Sequence, residues 1–280
     1  MNCELKDIDF ERISRLVYEH CGINLHDGKK ELVKARLGKR LREGAFRSFA
    51  EYYRYVITPE GTDELVMMID AISTNLTYFF REENHFAKLG KIVPVIMTAT
   101  VKDVRPGRLR IWSAGCSTGE EPYSLAITLC EHAPYTHMDI SITATDISSR
   151  VLHTAASGTY QLDKLKNVSS DILKKYFQSG CGRWKGYCRI KKEIRDFVRF
   201  QRFNLMEKPP PDFLFDVIFC RNVMIYFDKT TQAALVKRFY DCLNKGGYFF
   251  IGHSESLTGL DHGFKYIEPS VYRKEQTDRL

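Results

Sequence analysis

The segment RLRIWSAGCSTGEEPYS at residues 108–124 combines a glycine-containing loop with two adjacent carboxylates, Glu120 and Glu121. Its first residues predict a buried strand, and the stretch between Gly115 and Gly119 predicts a turn into a helix. A strand, a loop and a helix in this order bring backbone N–H groups close to a ligand. The carboxylates disfavour a bound phosphate and favour a ligand with a cationic or hydroxylated part. The segment therefore predicts S-adenosylmethionine (SAM) rather than a nucleoside triphosphate.

Polar residues also follow three other runs that predict strands. Asp146 ends the run DISITAT, where an acid can accept hydrogen bonds from both hydroxyls of a ribose or can cap the next helix. Arg221 and Asn222 follow the run FDVIFC. Because a buried, unpaired guanidinium is costly, either a ligand or a paired acid is expected beside Arg221. Asn204 and Leu205 follow a weaker strand signal, for which a plain turn is the alternative.

A further polar set lies in STNLTYFFRE, residues 73–82. Asn75, Thr77 and Arg81 stand there among apolar and aromatic residues. The segment joins two differently patterned regions, so it is either part of a site or a linker that packs its aromatic side chains. Tyr226 has the same two interpretations, because it follows the polar pair at the end of FDVIFC but lies in an apolar context.

The elements that must position these residues can be predicted from periodicity. Apolar stripes at helical spacing predict a small all-helical unit over residues 5–80. Beyond it, strand-like runs alternate with helical stretches, which predicts an α/β domain with a mostly parallel sheet covered on both faces. A glycine-punctuated stretch with partial alternation predicts a small antiparallel insertion at residues 160–203. The predicted strands are 109–114, 139–145, 215–220 and 247–252, and the predicted helices between them are 119–132, 147–156 and 229–244.

Composition narrows the class of protein. The 280 residues carry a net charge of +7, concentrated at residues 29–42 and 183–202, which suits an acidic partner or a solvated face. The eight cysteines form no CxxC pair, which disfavours a zinc ribbon and fits reduced thiols in the cytoplasm. Neither a membrane-spanning run nor a secretion signal is evident. The loop at residues 115–119 lacks the GxGxxG spacing of dinucleotide binders, which disfavours an oxidoreductase.

Five ordered blocks resemble the CheR-type chemotaxis receptor methyltransferases, and the likeness covers nearly the whole chain. They are TNLTYFFRE, SAGCSTGEEPYSLA, TATDIS, FCRNVMIYFDKTTQ and GHSES. The resemblance implies a Rossmann-like, SAM-dependent methyltransferase domain at residues 78–280, preceded by an all-helical domain at residues 1–77. It also implies methyl transfer to glutamate side chains of chemoreceptors, which yields γ-glutamyl methyl esters and S-adenosylhomocysteine in chemotaxis adaptation.

The resemblance also assigns roles to residues. Arg81 and Tyr226 fall closest to the reacting methyl group, and no metal is implied. The basic helix at residues 29–42 corresponds to a receptor-docking helix, and the insertion corresponds to a β-subdomain. The implied protein is a cytoplasmic monomer that binds the cytoplasmic helical region of methyl-accepting receptors, without nucleic acid or membrane insertion. The implied cofactor contacts are Asn75, Thr77, Arg81, Glu121, Asp146, Asn204, Leu205, Arg221 and Asn222.

Two rival functions stay open on the sequence alone. The first is a methyltransferase that acts on RNA or on another acidic or small substrate, which the basic patches would suit but which lacks an evident aromatic stacking surface. The second is a SAM-binding sensor without catalysis. The joint presence of Arg81, Tyr226 and the pair Arg221 and Asn222 favours an enzyme over a sensor.

Overall fold

The computed structural model describes residues 3–73, 75–102, 108–132 and 139–275. Thr74 of the TNLTYFFRE block and the two ends of the predicted domain ranges, residues 1 and 280, lie outside the described residues. Within those residues, no helix is both long and apolar enough to cross a bilayer.

The predicted helical unit is present. Its apolar stripes meet in one core that includes Ile13, Val33 and Tyr52, all fully buried. The first helix ends at Gly22, whose φ of 73° is the left-handed conformation that glycine adopts at helix ends. The helices are α1 (Asp7–Cys21), α2 (Lys30–Glu43), α3 (Phe49–Val56) and α4 (Thr62–Ile72), with single 3-10 turns at Asp27–Lys29 and Pro59–Gly61.

The second part of the chain forms a seven-stranded sheet with helices on both faces. Neighbouring residues of the first strand point to opposite faces, so Ile111 joins one core and Trp112 the other. The strands are β1 (Arg108–Ala114), β2 (Asp139–Asp146), β6 (Val198–Arg202), β7 (Phe215–Cys220), β8 (Leu243–Ile251), β9 (Phe264–Glu268) and β10 (Val271–Lys274). The covering helices are α5 (Asn84–Lys102), α6 (Glu120–His132), α7 (Ser149–Ser157) and α10 (Lys229–Asp241).

The strand order is β6-β2-β1-β7-β8-β10-β9. The first five strands in this order run parallel, whereas β10 pairs antiparallel with β8 and with β9. In a parallel sheet the carboxyl ends of neighbouring strands meet at one edge, which is where ligands bind in open α/β sheets. The mostly parallel α/β fold is therefore confirmed.

The antiparallel insertion is present but shorter than predicted. It is a three-stranded sheet of order β3-β5-β4, formed by β3 (Thr159–Gln161), β4 (Phe177–Ser179) and β5 (Tyr187–Ile190), with the short helices α8 (Ser170–Tyr176) and α9 (Lys192–Arg195). The end of the predicted interval, 160–203, is wrong, because β6 at Val198–Arg202 pairs parallel with β2 in the main sheet. Alternation along a strand indicates a half-buried strand but carries no information about its partner.

The last predicted helix and strand also differ in their bounds. The helix expected at 229–244 ends at Asp241, and the strand expected at 247–252 begins at Leu243. The early start is possible because Leu243 pairs with Phe215 before the register shifts, and Gly246 adopts a φ of 79° within this stretch. The division of the chain at residues 77 and 78 stays a prediction.

Candidate active site

One cavity lies where the carboxyl edge of the parallel strands meets the helical unit, and it collects every site residue predicted above. These residues come from five separate segments of the chain, so the arrangement is a product of the fold rather than of local sequence. The predicted residues that line it are Asn75, Thr77, Arg81, Glu121, Asp146, Asn204, Leu205, Arg221, Asn222 and Tyr226.

The loop between β1 and α6 forms the floor of this cavity. Gly115 has a φ of 82°, and a Cβ atom placed on it would lie 2.5 Å from Cγ2 of Val223. The backbone N–H of Gly115 donates to the carbonyl oxygen of Thr145 at 2.8 Å, which ties the loop to the neighbouring strand. Glycine is thus required here both for its conformation and for the close approach of another loop.

Asp146, at the end of β2, uses its carboxylate to hold two loops together. Its Oδ2 accepts a hydrogen bond from the N–H of Ser117 at 2.8 Å, and its Oδ1 accepts one from the N–H of Ser148 at 3.0 Å. The helix cap considered above is instead Ser148, whose hydroxyl accepts from the N–H of Val151 at the start of α7. Burial raises the pKa of Asp146, and the N–H donors of Ser148 and Ser117 partly offset that rise. Each carboxylate oxygen keeps acceptor capacity for a ligand hydroxyl.

The two adjacent glutamates have different environments. Glu121 lines the cavity, where its carboxylate accepts from the hydroxyl of Ser113 at 2.7 Å and from the guanidinium of Arg221 at 3.0 Å. Glu120 accepts from the hydroxyl of Thr118 at 2.6 Å and is absent from the cavity lining. Burial raises the pKa of both carboxyl groups. Of the two glutamates, Glu121 is therefore the one that lines the cavity, and its contact with a ligand stays a prediction.

Arg221 lies between two carboxylates beneath the cavity. Its side chain is 2% exposed, and its Nη2 is 2.9 Å from Oε2 of Glu82, opposite the contact with Glu121. Nη2 also donates to the carbonyl oxygen of Arg81, while Nε has no hydrogen-bond partner among the described residues. The acid expected beside the guanidinium is thus present twice, and Arg221 reaches the cavity as well.

Glu82 links this guanidinium to two histidines. Burial raises the pKa of Glu82, but the charge of Arg221 and the surrounding hydrogen bonds outweigh it and leave the pKa below its usual value. Burial, assisted by the charge of Arg221, lowers the pKa of His85 to about 3, so its imidazole is neutral at physiological pH. The backbone N–H of His253 lies 3.3 Å from Oε2 of Glu82. Glu82 was not identified from the sequence, although it ends the TNLTYFFRE block.

Glu255, in the GHSES block, is a second residue that sequence reasoning missed. Its carboxylate accepts backbone hydrogen bonds at 2.6–3.3 Å and holds the loop that carries Asn222 and Tyr226. Asn222 has a φ of 60°, so this loop needs such support to keep a conformation that is uncommon outside glycine. The N–H donors belong to Gly252, Asn222, Val223, Met224 and Ile225.

Arg81 and Tyr226 are half-buried and face the cavity. Nη1 of Arg81 donates to the carbonyl oxygen of Leu76 at 2.9 Å, which leaves other guanidinium N–H groups for a ligand. The hydroxyl of Tyr226 has no hydrogen-bond partner in the described part of the chain. Glu82, next to Arg81, has a φ of 58°, and such uncommon backbone conformations tend to cluster at functional sites.

The helical unit supplies a wall of the cavity that the sequence did not indicate. Asn24 donates its N–H to the carbonyl oxygen of Tyr226 at 2.8 Å, and Asn204 donates its side-chain amide to the carbonyl oxygen of His20 at 2.5 Å. Gly22 predicted a break after the first helix, but no residue of the segment 21–32 was predicted to contact the cofactor. The lining residues from α1, α2 and the connection between them are Cys21, Ile23, Asn24, Leu25, Lys29 and Leu32.

The chemistry of the cavity fits SAM. The carboxylates of Asp146 and Glu121 line the cavity, and their oxygens can accept hydrogen bonds from ribose hydroxyls and from a cationic group. Apolar side chains such as Phe203 and Ile147 supply surface for a nucleobase.

Comparison with known proteins agrees with this interpretation. The family model for the all-alpha domain of CheR methyltransferases matches residues 8–73, and that for the SAM-binding domain matches residues 75–273. A chemotaxis protein methyltransferase of Salmonella typhimurium is 41% identical over 272 residues, which cover 96% of this chain and 90% of that protein. Proteins of the same name from Borreliella burgdorferi and Escherichia coli are 38% and 40% identical, over 98% and 96% of this chain and 96% and 91% of theirs.

Proposed function

The chain belongs to the CheR family of SAM-dependent chemoreceptor methyltransferases, and from this premise we propose that it transfers the methyl group to glutamate carboxylates of its receptors. The product would be a γ-glutamyl methyl ester. The observation that supports the proposal most strongly is the convergence of Asp146, Glu121, Arg81 and Tyr226 on one cavity at the carboxyl edge of the sheet.

We propose that different residues of the cavity contact different groups of the cofactor. Asp146 accepts hydrogen bonds from the ribose hydroxyls, because its oxygens retain acceptor capacity beside the two loop N–H groups. Glu121, held by Ser113 and Arg221, faces the cationic amino group. When bound, SAM supplies an electrophilic methyl group on a positively charged sulfur. The remaining contacts are Asn75, Thr77, Asn204, Leu205, Arg221 and Asn222.

The acceptor needs no general base. The side-chain carboxyl of glutamate ordinarily titrates at about pH 4.3, so it is already ionised at neutral pH. The protein therefore has to orient the carboxylate and exclude water, which are contributions of position rather than of proton transfer. We propose that Arg81 holds the carboxylate through its planar guanidinium and that the hydroxyl of Tyr226, which lacks a partner among the described residues, donates to it.

The receptor-docking surface is proposed at the exposed side of α2. Of the seven basic residues at 29–42, Lys30, Lys34, Lys39 and Arg40 already contact acids, and Arg36 donates to backbone carbonyls at the end of α4. Arg42 is exposed and has no acid partner among the described residues. An acidic, helical receptor surface would meet Arg42 and the weakly paired Lys39 first.

A transfer experiment with Arg81→Ala tests the catalytic assignment. The chain is incubated with SAM and a purified cytoplasmic receptor fragment, and the fragment is analysed by mass spectrometry. Wild-type protein should add the mass of one methylene per modified glutamate. Arg81→Ala should lower kcat by at least about a hundredfold while its thermal unfolding stays unchanged, because the side chain is only half-buried.

The matched control is Arg110→Ala, a half-buried arginine in β1 that does not line the cavity. Transfer at wild-type rates by Arg81→Ala would contradict the proposed catalytic role of Arg81.

The same assay with labelled SAM and RNA in place of the receptor tests the RNA-methylating alternative. SAM binding without transfer to either substrate would indicate a sensor. We further propose that the protein acts in the cytoplasm as a monomer, without nucleic acid or membrane insertion.

A further inference from the structure

Three potential metal ligands converge beside the cavity. Glu82, His85 and His253 each offer one ligand atom, and these atoms all lie within 4.8 Å of one another. Nδ1 of His85 is 3.4 Å from Oε2 of Glu82. The rings of His85 and His253 meet edge to face, with centroids 4.7 Å apart. None of these three side chains is among the residues proposed to contact the cofactor or the substrate, although Glu82 pairs with Arg221.

His85 is the least explained of the three. The residue is 2% exposed, yet neither of its ring nitrogens has a hydrogen-bond partner among the described residues. Buried polar groups are nearly always satisfied by protein, by water or by an ion. Nδ1 of His85 faces Oε2 of Glu82, and the His85 ring packs against that of His253, so two other potential ligands lie beside it.

The charge around the cluster does not exclude a cation. Arg221 contributes one positive charge, but it is shared between the carboxylates of Glu82 and Glu121. With both carboxylates ionised, Arg221, Glu82 and Glu121 together have a formal charge of −1 without an ion. Glu82 has two oxygens, and among the described residues Oε1 accepts one hydrogen bond, from the side-chain amide of Asn222 at 3.3 Å.

We propose that Glu82, His85 and His253 bind a divalent transition metal ion of the zinc class. Two imidazoles and one carboxylate are a ligand set that Zn²⁺ commonly uses, with a fourth position left for water. Zinc–ligand bonds of about 2.0–2.2 Å require these atoms to be about 3.3 Å apart. The exposed His253 can supply this closure by turning its side chain toward the other two.

The test measures Zn²⁺ binding by the full chain in the absence of SAM and receptor, by competition with a chromophoric chelator. The wild-type protein should bind one equivalent of Zn²⁺. His253→Ala, an exposed substitution that should not disturb folding, is expected to weaken binding at least about tenfold, since even outer-shell changes at metal sites cost about 10–100-fold. The matched control is His153→Ala, an exposed histidine on α7 outside the cluster, which should bind Zn²⁺ as the wild type does.

Cobalt substitution separates this site from the cysteines. The described cysteines are all free, and Cys181 is exposed, so adventitious thiolate binding is the main rival. Co²⁺ bound by two histidines and a glutamate should show ligand-field bands without a sulfur-to-metal charge-transfer band, and His253→Ala should lose these bands. Equal affinity of the wild type and His253→Ala, absence of stoichiometric binding, or a strong charge-transfer band would each overturn the proposal.

Discussion

Two charged regions of this molecule, the cluster around Arg221 and the exposed side of α2, pair basic and acidic side chains under opposite conditions. Arg221 and its acids are buried beneath the cavity, with side-chain exposures of 2%, 12% and 13% for Arg221, Glu82 and Glu121. On α2, Lys39 and Glu43 are 3.7 Å apart with exposures of 74% and 46%. Exposed pairs contribute little, whereas a buried pair is expensive to break because it leaves an uncompensated charge. The effect of an ion pair on the stability of this fold thus depends on how deeply the pair is buried and not on how many charges a region has.

This difference assigns different tasks to the two regions. Beneath the cavity every charge is fixed by partners, so the cluster can hold Arg81, Asn222 and Glu121 in one geometry. On α2 the charges are partly solvated and can exchange their partners for those of an arriving protein. The following predictions test that contrast, beginning with the buried side.

Removal of Arg221 should have the largest effect. Arg221→Ala leaves Glu82 and Glu121 buried without their shared cation, which should lower the free energy of unfolding by about 3–5 kcal/mol. Urea denaturation measures this loss. Arg42→Ala, at the exposed end of α2, is the control and should change the stability by less than about 0.5 kcal/mol. Similar losses for both variants would remove the contrast.

Glu255 should rank next. Glu255→Ala deprives the loop at residues 222–225 of its common acceptor, which should cost about 2–4 kcal/mol of stability because several buried N–H groups lose their partner. Glu255→Gln keeps one carbonyl oxygen and should lose about half as much. Affinity for S-adenosylhomocysteine, measured by calorimetry, should fall in the same order. If the Ala and Gln variants bind as tightly as the wild type, the loop does not depend on this carboxylate.

Asp146→Asn should affect the ligand more than the fold. The amide keeps one acceptor oxygen but loses the charge-assisted bonds to ribose hydroxyls, worth about 1.5–3 kcal/mol or roughly 10–100-fold in affinity. Calorimetric titration with S-adenosylhomocysteine measures the change. The control is Asp139→Asn, at the exposed start of the same strand, which should bind normally. Equal affinities for the two variants would exclude Asp146 from cofactor contact.

The smallest effect is expected on α2. The double variant Lys39→Ala and Arg42→Ala should leave the stability within about 0.5 kcal/mol of the wild type, since both side chains are exposed. It should raise the KM for a receptor fragment several-fold at low salt with little change in kcat. Because surface charges are screened over about 8–10 Å at physiological ionic strength, the difference should shrink as salt is added. A salt-independent change would point to lost packing instead.

The residues at strand ends were predictable because two rules coincide there. Asp146 and Arg221 are charged residues at the ends of buried strands, where charge is uncommon. In addition, parallel topology requires the ends of β2 and β7 to meet at one edge. The family resemblance then separated site residues from plain turns. The choice of Glu121 over Glu120 could not follow from spacing alone, since both lie in the first turn of a helix whose rotation depends on tertiary packing.

Other features leave little trace in the sequence. Glu255 acts on backbone N–H groups, which every residue except proline has, so its partners cannot be inferred from side-chain types. The partner of β6 is set by which edge of the sheet is open, a property of the assembled fold. The cavity wall at Ile23 and Asn24 consists of ordinary residues that become part of a site only through contact with Tyr226.

That wall has a consequence for the modularity of the chain. The predicted division between residues 77 and 78 separates Asn75 and Thr77 from Arg81, although all three line the same cavity. A graft of either half onto another scaffold would therefore transfer an incomplete ligand pocket. In chimeras of related methyltransferases, the cavity should stay intact only when the segment around Asn24 and the loop of Tyr226 come from the same parent, because these two stretches contact each other.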